Sequence, residues 1–263
     1  MSLIRTFLDT STQVALGIVP KWDKVNKFGV TIDADSGIPT DVWDGADGAT
    51  STDIWVAPTT ARIHDIVSTS AADDGSPVGT GMRTVRIYGL TSWGSAEVSE
   101  DITLDGTTNV ATLNSYVIIH RMVGLTFGSG GTNAGTITAT AQTDATVTAA
   151  ILAGNGQTRM AIYGVPSTQT LHLKFLTSAV SRAGGGVGTV NADLLLLVKE
   201  NADQSDAAFI AREVYKLSTD NRINRPYEIV KSFTGPCIVK LQVETDTNNS
   251  EATGAFDAYL IDN

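Results

Sequence analysis

The segment "MAIYGVPSTQTLHLKFLTSA" (residues 160–179) has a near copy in "TDIWVAPTTARIHDIVSTSA" (residues 52–71). In each, an aromatic residue is followed by a proline, two hydroxyl residues and an alternating run that contains a histidine. A proline fixes φ and lacks a backbone donor, so Pro58 and Pro166 are each expected to end one strand before the next begins. Their offset of 108 residues indicates a tandem duplication of a β unit of roughly 100 residues. It pairs Trp55 with Tyr163, Ile63 with Leu171 and His64 with His172.

Later parts of the chain extend this alignment less regularly. The same offset places "TVRIYGL" over "DLLLLVK", whereas "SYVIIHRM" with "PYEIVKSF" and "TVTAAIL" with "FDAYLID" need other offsets. Chance similarity between strand-rich segments is the alternative explanation. On the duplication hypothesis, the chain divides into an N-terminal arm and connector (1–48), a first β unit (49–156) and a second β unit (157–263).

Short β-branched runs separated by turn sequences dominate the chain. The clearest runs are "RTVRIYGL" (83–90), "EVSEDITL" (97–104), "SYVIIHRMVGLTF" (115–127), "GTITATA" (135–141) and "ATVTAAIL" (145–152). This spacing predicts an all-β protein built from antiparallel β-sandwich or jelly-roll units, two in tandem, with an extended N-terminal arm. Residues 204–217 fit either a short helix or a strand.

Charge and composition exclude several function classes. The 263 residues carry a net charge of -10, which repels nucleic acid and predicts no direct nucleic-acid partner. No apolar run has the ~18 residues of a membrane helix, and the N-terminus lacks the apolar run of a signal peptide. We therefore expect synthesis in the cytoplasm and no membrane partner. Cys237 is the single cysteine and is expected to be a buried, inert thiol.

The N-terminal arm differs from the rest of the chain in charge. Its first 28 residues hold four basic and two acidic residues, while the remainder is acidic. Such an arm can bind a neighbouring subunit by burying its apolar side chains, although a solvated leader would have the same composition. The expected partner-binding residues are Leu3, Ile4, Phe7, Leu8, Trp22 and Phe28.

Candidate catalytic and metal-binding groups each have a simpler explanation. The acidic stretch Asp33–Asp47 suggests Ca²⁺ ligands, but its glycine falls early for an EF-hand and turn chemistry explains the aspartates. Glu97 and Asp101 share one strand face while Glu100 lies on the other, so they are expected to form a solvated face and not a glycosidase pair. The histidines, His64, His120 and His172, have no metal-ligand spacing and no serine elbow beside them. The sequence thus predicts no enzyme, no cofactor and no metal.

Several stretches together resemble virion structural proteins of tailed bacteriophages. They are "VNKFG" (25–29), "DVWDG" (41–45), "GTGMRTVRIYGL" (79–90), "EVSEDITLDGTTNVAT" (97–112), "NAGTITATA" (133–141), "GNGQTRMAIYGVPSTQTLHLKF" (154–175) and the terminal "FDAYLIDN". The resemblance implies a β-rich virion component, either a capsid decoration (cement) protein or a neck- or tail-associated part. The implied partners are other virion proteins, above all the major capsid protein, and a homo-oligomer, for which we expect a trimer. It carries over no catalytic residues, and the Asp-rich connector is longer than the group's pattern.

Two other function classes stay open at this stage. A carbohydrate-binding module of a tail, neck or head fibre would stack exposed aromatic residues on sugar rings, with Trp43, Trp55 and Trp93 as candidates. A depolymerase would need a carboxylate pair in a groove.

Overall fold

A computed structural model describes residues 9–45 and 53–263. Of the predicted arm residues, Leu3, Ile4, Phe7 and Leu8 lie outside the described residues. The structure is 57% strand and 4% helix, which confirms an all-β protein. The one α-helix in the described residues is α1 (Thr10–Ala15), whose N-terminus is capped by the side chain of Asp9. None of the described helices is long and apolar enough to span a membrane.

Sixteen strands make up the described fold. They are β1 (Trp22–Ala34), β2 (Thr40–Asp41), β3 (His64–Ser68), β4 (Met82–Leu90), β5 (Val98–Thr103), β6 (Val110–Ala111), β7 (Ile118–Phe127), β8 (Ile137–Ala141), β9 (Thr146–Ile151), β10 (Ile162–Val165), β11 (Gln169–Arg182), β12 (Asn191–Glu200), β13 (Phe209–Ser218), β14 (Ile223–Thr234), β15 (Cys237–Thr245) and β16 (Ser250–Asp262). The five strand segments named from the sequence correspond to β4, β5, β7, β8 and β9. Residues 204–217, for which helix and strand were both open, contain strand β13.

Four antiparallel sheets are formed by these strands. Their strand orders are β6-β3-β8-β9, β5-β4-β7, β14-β11-β16-β1 and β13-β12-β15-β10, with β2 also pairing with β15. The sheets lie in a propeller-like ring of four blades, not in a clear jelly-roll sandwich. The prediction is therefore confirmed at the level of an all-β, antiparallel fold and not in its finer form.

The two halves of the chain repeat one strand order. Each strand from β3 to β8 can be matched to the strand eight places later in the chain, β11 to β16. The order β6-β3-β8 then becomes β14-β11-β16, and the order β5-β4-β7 becomes β13-β12-β15. The fourth place beside β8 is taken by β9, and the matching place beside β16 is taken by β1. This correspondence pairs β4 with β12, as the 108-residue offset does, but it pairs β7 with β15 and β8 with β16. The two later alignments made from sequence, β7 with β14 and β9 with β16, do not match it.

The 108-residue offset also fails to preserve which side chains face inward. His64 is buried beside Ile66, whereas His172 lies on the outer face of β11 between the inward residues Leu171 and Leu173. A strand has a side-chain period of two, so a slip of one residue reverses its faces. The matched histidines therefore occupy opposite faces of their sheets.

Residues 22–34 do not form a free arm. Strand β1 pairs with β16 from Trp22 to Ala34 and becomes an edge strand of its own chain's sheet. Gly29 allows it to lie close to the neighbouring backbone, because a Cβ there would stand 2.2 Å from the carbonyl oxygen of Val42 and 2.6 Å from the amide nitrogen of Ala161. Residues 22–34 therefore belong to the body of the fold.

Two hydrophobic clusters form the core, and both draw side chains from β15 and from β10. Val239 and Leu241 belong to the cluster enclosed by β1 and β10–β16, while Ile238 belongs to the cluster enclosed by β3–β9. β15 is therefore buried on both faces, and the two halves of the described chain pack against each other there. The seam also contains a buried ion pair between Lys240 and Asp41.

Candidate functional site

A cleft of about 610 Å³ opens at the seam between the two halves of the chain. One wall is the start of β1, and the other is formed by β4, β7 and the segment before β5. Ligand sites occur preferentially in clefts of this size at such junctions. The lining residues are Asp23, Lys24, Val25, Asn26, Lys27, Phe28, Tyr88, Ala96, Glu97, His120, Arg121, Gln157, Thr158, Tyr163, Gln169 and Leu260.

Lys27 reaches into the seam because of its place in β1. The strand alternates inward and outward residues, and Lys27 takes the same inward parity as Val25 and Gly29. Its side chain is only 7% exposed, and its Nζ donates a hydrogen bond to the backbone oxygen of His120. Burial, helped by the nearby charge of Arg121 and opposed by Glu97, lowers the pKa of Lys27 to about 7. The charge of this amine is therefore sensitive to pH near neutrality.

His120 and Glu97 form a pair on the opposite wall. His120 Nε2 lies 2.5 Å from Glu97 Oε2, and the imidazole packs on Tyr163 with ring centroids 4.6 Å apart. Burial lowers the pKa of His120 although Glu97 opposes this shift. Burial alone would raise the pKa of Glu97, but the hydrogen bond with His120 and the nearby positive charges together outweigh it, and the net shift is downward. The pair is thus a neutral imidazole donating to a carboxylate, which leaves His120 Nδ1 buried without a partner among the described residues.

Arg121 completes the cationic side of the cleft. Its guanidinium lies 5.6 Å from the centre of the Tyr88 ring, and its Nη2 donates to Gln157 Oε1 at 3.3 Å. In the part of the chain that the structure describes, Arg121 forms no ion pair. The cleft therefore places three cations, Asp23, the Glu97–His120 pair and several amide side chains around one space.

A second, smaller cleft of about 390 Å³ lies on the outer face of the sheet that contains β1 and β16. Trp22 and Tyr259 line it with ring centroids 5.5 Å apart, and Lys174 Nζ lies 5.8 Å from the Tyr259 ring. His172 also lines it and forms a hydrogen bond of 2.8 Å with Ser232. Trp22 thus contacts its own chain, while Phe28, 38% exposed, lines the larger cleft.

The carboxylates singled out from the sequence lie in different environments. Asp101 is exposed and paired with Arg86, and Glu97 lines the larger cleft. Glu100 lies on the opposite strand face, as expected, but it is buried and not solvated. It accepts hydrogen bonds from the backbone of Leu113 and Asn114, the Asn114 amide and the Tyr116 hydroxyl.

The acidic connector does not assemble its aspartates into one cage. Asp41 binds Lys240, and Asp44 accepts from the backbone nitrogen of Arg159. Asp35 accepts from the backbone nitrogen of Asn249, while Asp47 lies outside the described residues. Across residues 9–45 and 53–263, no three His, Cys, Asp or Glu side chains are grouped so that they could hold a metal ion.

The remaining candidates are structural in their contacts. His64 is buried, and burial lowers its pKa to about 4, while its Nδ1 lies 3.0 Å from the backbone oxygen of Arg62. Burial raises the pKa of Cys237 to about 12, which makes the thiol a poor nucleophile. Trp43 and Trp55 are 1% exposed, and Trp93 packs against the hydrophobic cluster enclosed by β3–β9. The two most buried indoles are therefore not available for sugar stacking.

Sequence reasoning missed the role of Lys27. The signal was present, because "VNKFGV" places a lysine at a core-facing position of an alternating strand. Its partners could not be identified, since His120 lies 93 residues away along the chain.

A scan against protein-family models found no match, and a search of curated proteins found none either. The resemblance to bacteriophage structural proteins therefore stays a prediction.

Proposed function

We propose that this chain is a non-enzymatic structural protein of a tailed-bacteriophage particle, of the capsid decoration or cement type. It binds the major capsid protein, forms a homo-oligomer, for which a trimer is proposed, and resides in the virion after synthesis in the host cytoplasm. The observation that carries this proposal is an exposed pair of edge strands, β13 and β14, with apolar side chains facing solvent.

The two edge strands are joined through their side chains. β13 is the outer strand of one sheet and β14 is the outer strand of the next, in the part of the chain that is described. The hydroxyls of Tyr215 and Tyr227 lie 3.0 Å apart and join the strands, and both share the carboxylate of Glu213. Burial raises the pKa of both tyrosines, so both hydroxyls stay protonated at neutral pH.

Three large apolar side chains stand on these edges. Ile210 is 56% exposed, Val214 is 53% exposed and Ile229 is 87% exposed. Ile229 lies where the pairing of β14 with β11 is interrupted, opposite the register shift between Leu173 and Phe175. Unpaired edges with exposed apolar residues are surfaces on which another protein adds contacts. Docking on a shell of identical subunits would cover them.

The repeated strand order supports the finer architecture that we propose, two tandem β units of jelly-roll type. In each unit two sheets enclose one hydrophobic cluster. A duplicated unit suits a particle protein, because one half can dock while the other faces solvent.

The proposal is tested by binding to particles that have been stripped of this chain. Recombinant wild type is expected to sediment with stripped particles, and Ile229→Lys combined with Val214→Glu is expected to weaken binding at least tenfold. Val187→Lys is the matched control, because Val187 is 94% exposed but lies outside these edges. Deletion of residues 2–8 tests the arm separately.

Loss of binding only on arm deletion would contradict docking through the edge strands. Failure of wild type to bind stripped particles would contradict the function itself. Light scattering gives the oligomer, for which a trimer predicts three times the chain mass of 27.6 kDa.

A further inference from the structure

We propose that the larger cleft at the seam binds a saccharide that carries a carboxylate. This inference does not depend on the proposed place of the chain in a particle, because it rests on the side chains that line the cleft.

The cleft has a net positive charge in a strongly acidic chain. Lys27 and Arg121 line it, and Glu97, whose charge acts on Lys27, is already bonded to His120. Asp23 and Lys24, which also line the cleft, balance each other in charge. This excess positive charge attracts a carboxylate anion.

The two cations also destabilise each other. The charge of Arg121 contributes to the lowered pKa of Lys27, so the side chains are close enough to repel. An anion placed near both would relieve that repulsion and would favour the protonated amine. A carboxylate in this position therefore gains an interaction with each cation.

Other lining groups suit the hydroxyls and the apolar face of a sugar ring. The amide nitrogen of Gln157 is a donor, because Gln157 uses only its oxygen on Arg121. Asn26 and Gln169 offer their amide oxygens as acceptors, since their nitrogens already donate to Asp257 and Asp262. Phe28 presents an exposed ring on the same wall. A sugar stacks its C–H face on such a ring while its hydroxyls reach the amides. The volume of about 610 Å³ is ample for a disaccharide.

The test uses digalacturonate as the probe, with isothermal titration calorimetry on the full chain. Lactose, acetate and inorganic phosphate are the comparison ligands. Digalacturonate is expected to bind at least tenfold more tightly than any of the three. Arg121→Gln and Lys27→Met are each expected to weaken it at least tenfold, and Lys216→Met, which removes an exposed lysine on β13, is expected to change nothing.

A pH series separates binding in the cleft from a merely structural role of Lys27. The groups that face its amine are Glu97, His120, Arg121 and Tyr163. Digalacturonate binding is expected to take up protons near pH 7 and to weaken as the pH rises above 7, because the amine must be protonated. Lys27→Met should abolish both effects. Arg121→Gln should keep them but move them to higher pH, because the charge of Arg121 lowers the pKa of Lys27.

Three outcomes would overturn the proposal. Equal binding of lactose would remove the need for the carboxylate, and equal binding of acetate or phosphate would indicate a general anion site. Unchanged affinity in Arg121→Gln, which alters an exposed side chain and is expected to fold, would place the ligand elsewhere.

Discussion

Removing the buried lysine at the seam should cost much of the stability of this protein. Lys240 is 1% exposed and forms an ion pair with Asp41, which is fully buried. In Lys240→Met, the Asp41 carboxylate keeps the hydrogen bonds from Gln242 Nε2 at 2.9 Å and from the Trp55 backbone nitrogen at 2.8 Å but loses its counter-charge. Leaving one partner of a buried pair alone costs about 3–5 kcal/mol, and we expect that loss at pH 7.

The penalty should depend on pH in a defined direction. Burial raises the pKa of Asp41 above its ordinary value of 3.8, against the effect of Lys240, and loss of Lys240 raises it further. A carboxyl with a raised pKa in the folded state destabilises the fold above that pKa. The destabilisation disappears as the pH falls towards the pKa of the unfolded chain. Lys240→Met should therefore approach wild type on acidification.

Urea unfolding measured by tryptophan fluorescence gives these free energies, since Trp55 contacts Asp41 directly. The double variant Asp41→Asn with Lys240→Met carries no buried charge and should recover most of the loss. Lys216→Met, which removes an exposed ion pair with Asp193, should be close to wild type. A loss below about 1 kcal/mol in Lys240→Met, or a double variant as unstable as the single one, would refute the reasoning.

Three further predictions concern buried polar groups. Asp73 accepts hydrogen bonds from the backbone of Met82, Ala134 and Gly135 and from the Ser68 hydroxyl. Asp73→Asn would replace one carboxylate oxygen by an amide NH₂ group that faces two of these donors, and it should cost about 2–5 kcal/mol in urea unfolding. A change under half of that would show that the site relaxes. Burial lowers the pKa of His64 to about 4 in the folded state, so protonation of its side chain favours the unfolded chain as the pH falls below about 6.5. Between pH 7 and pH 5, His64→Gln should therefore lose about 2 kcal/mol less stability than wild type. An identical pH dependence in both proteins would contradict this assignment. Cys237, buried and with a pKa raised to about 12, should react with a thiol reagent at pH 8 only after unfolding, and fast labelling of the native protein would show that the strand opens.

Local pattern was enough to predict strands, because inward and outward residues alternate in β4, β5 and β8 and turn residues separate them. It was not enough to predict the partner of β1. The segment "WDKVNKFGVTIDA" has the alternation of a strand, yet its partner, β16, lies more than 200 residues away in the chain. A basic, apolar N-terminal segment is compatible with an arm, and only the three-dimensional pairing shows that it completes a sheet of its own chain.

The repeated segments illustrate a second limit. The alignment of Pro58 with Pro166 located two strands at matching places in the strand order, but it shifted their faces by one residue. Val85 is buried on β4, whereas the residue matched to it, Asp193 on β12, has a partly exposed side chain that pairs with Lys216. A slip of one residue reverses every face of a strand, and matching the two prolines does not exclude such a slip. The cleft was hidden for the same reason, since its residues come from strands whose register the sequence does not specify.

A cryo-electron microscopy map of the phage particle tests the central claim most directly. The account predicts density for this chain at symmetry-related positions on the capsid shell, with β13 and β14 facing the major capsid protein and Ile229 buried in the contact. Density for the chain only in a tail fibre, or its absence from purified particles, would contradict the account.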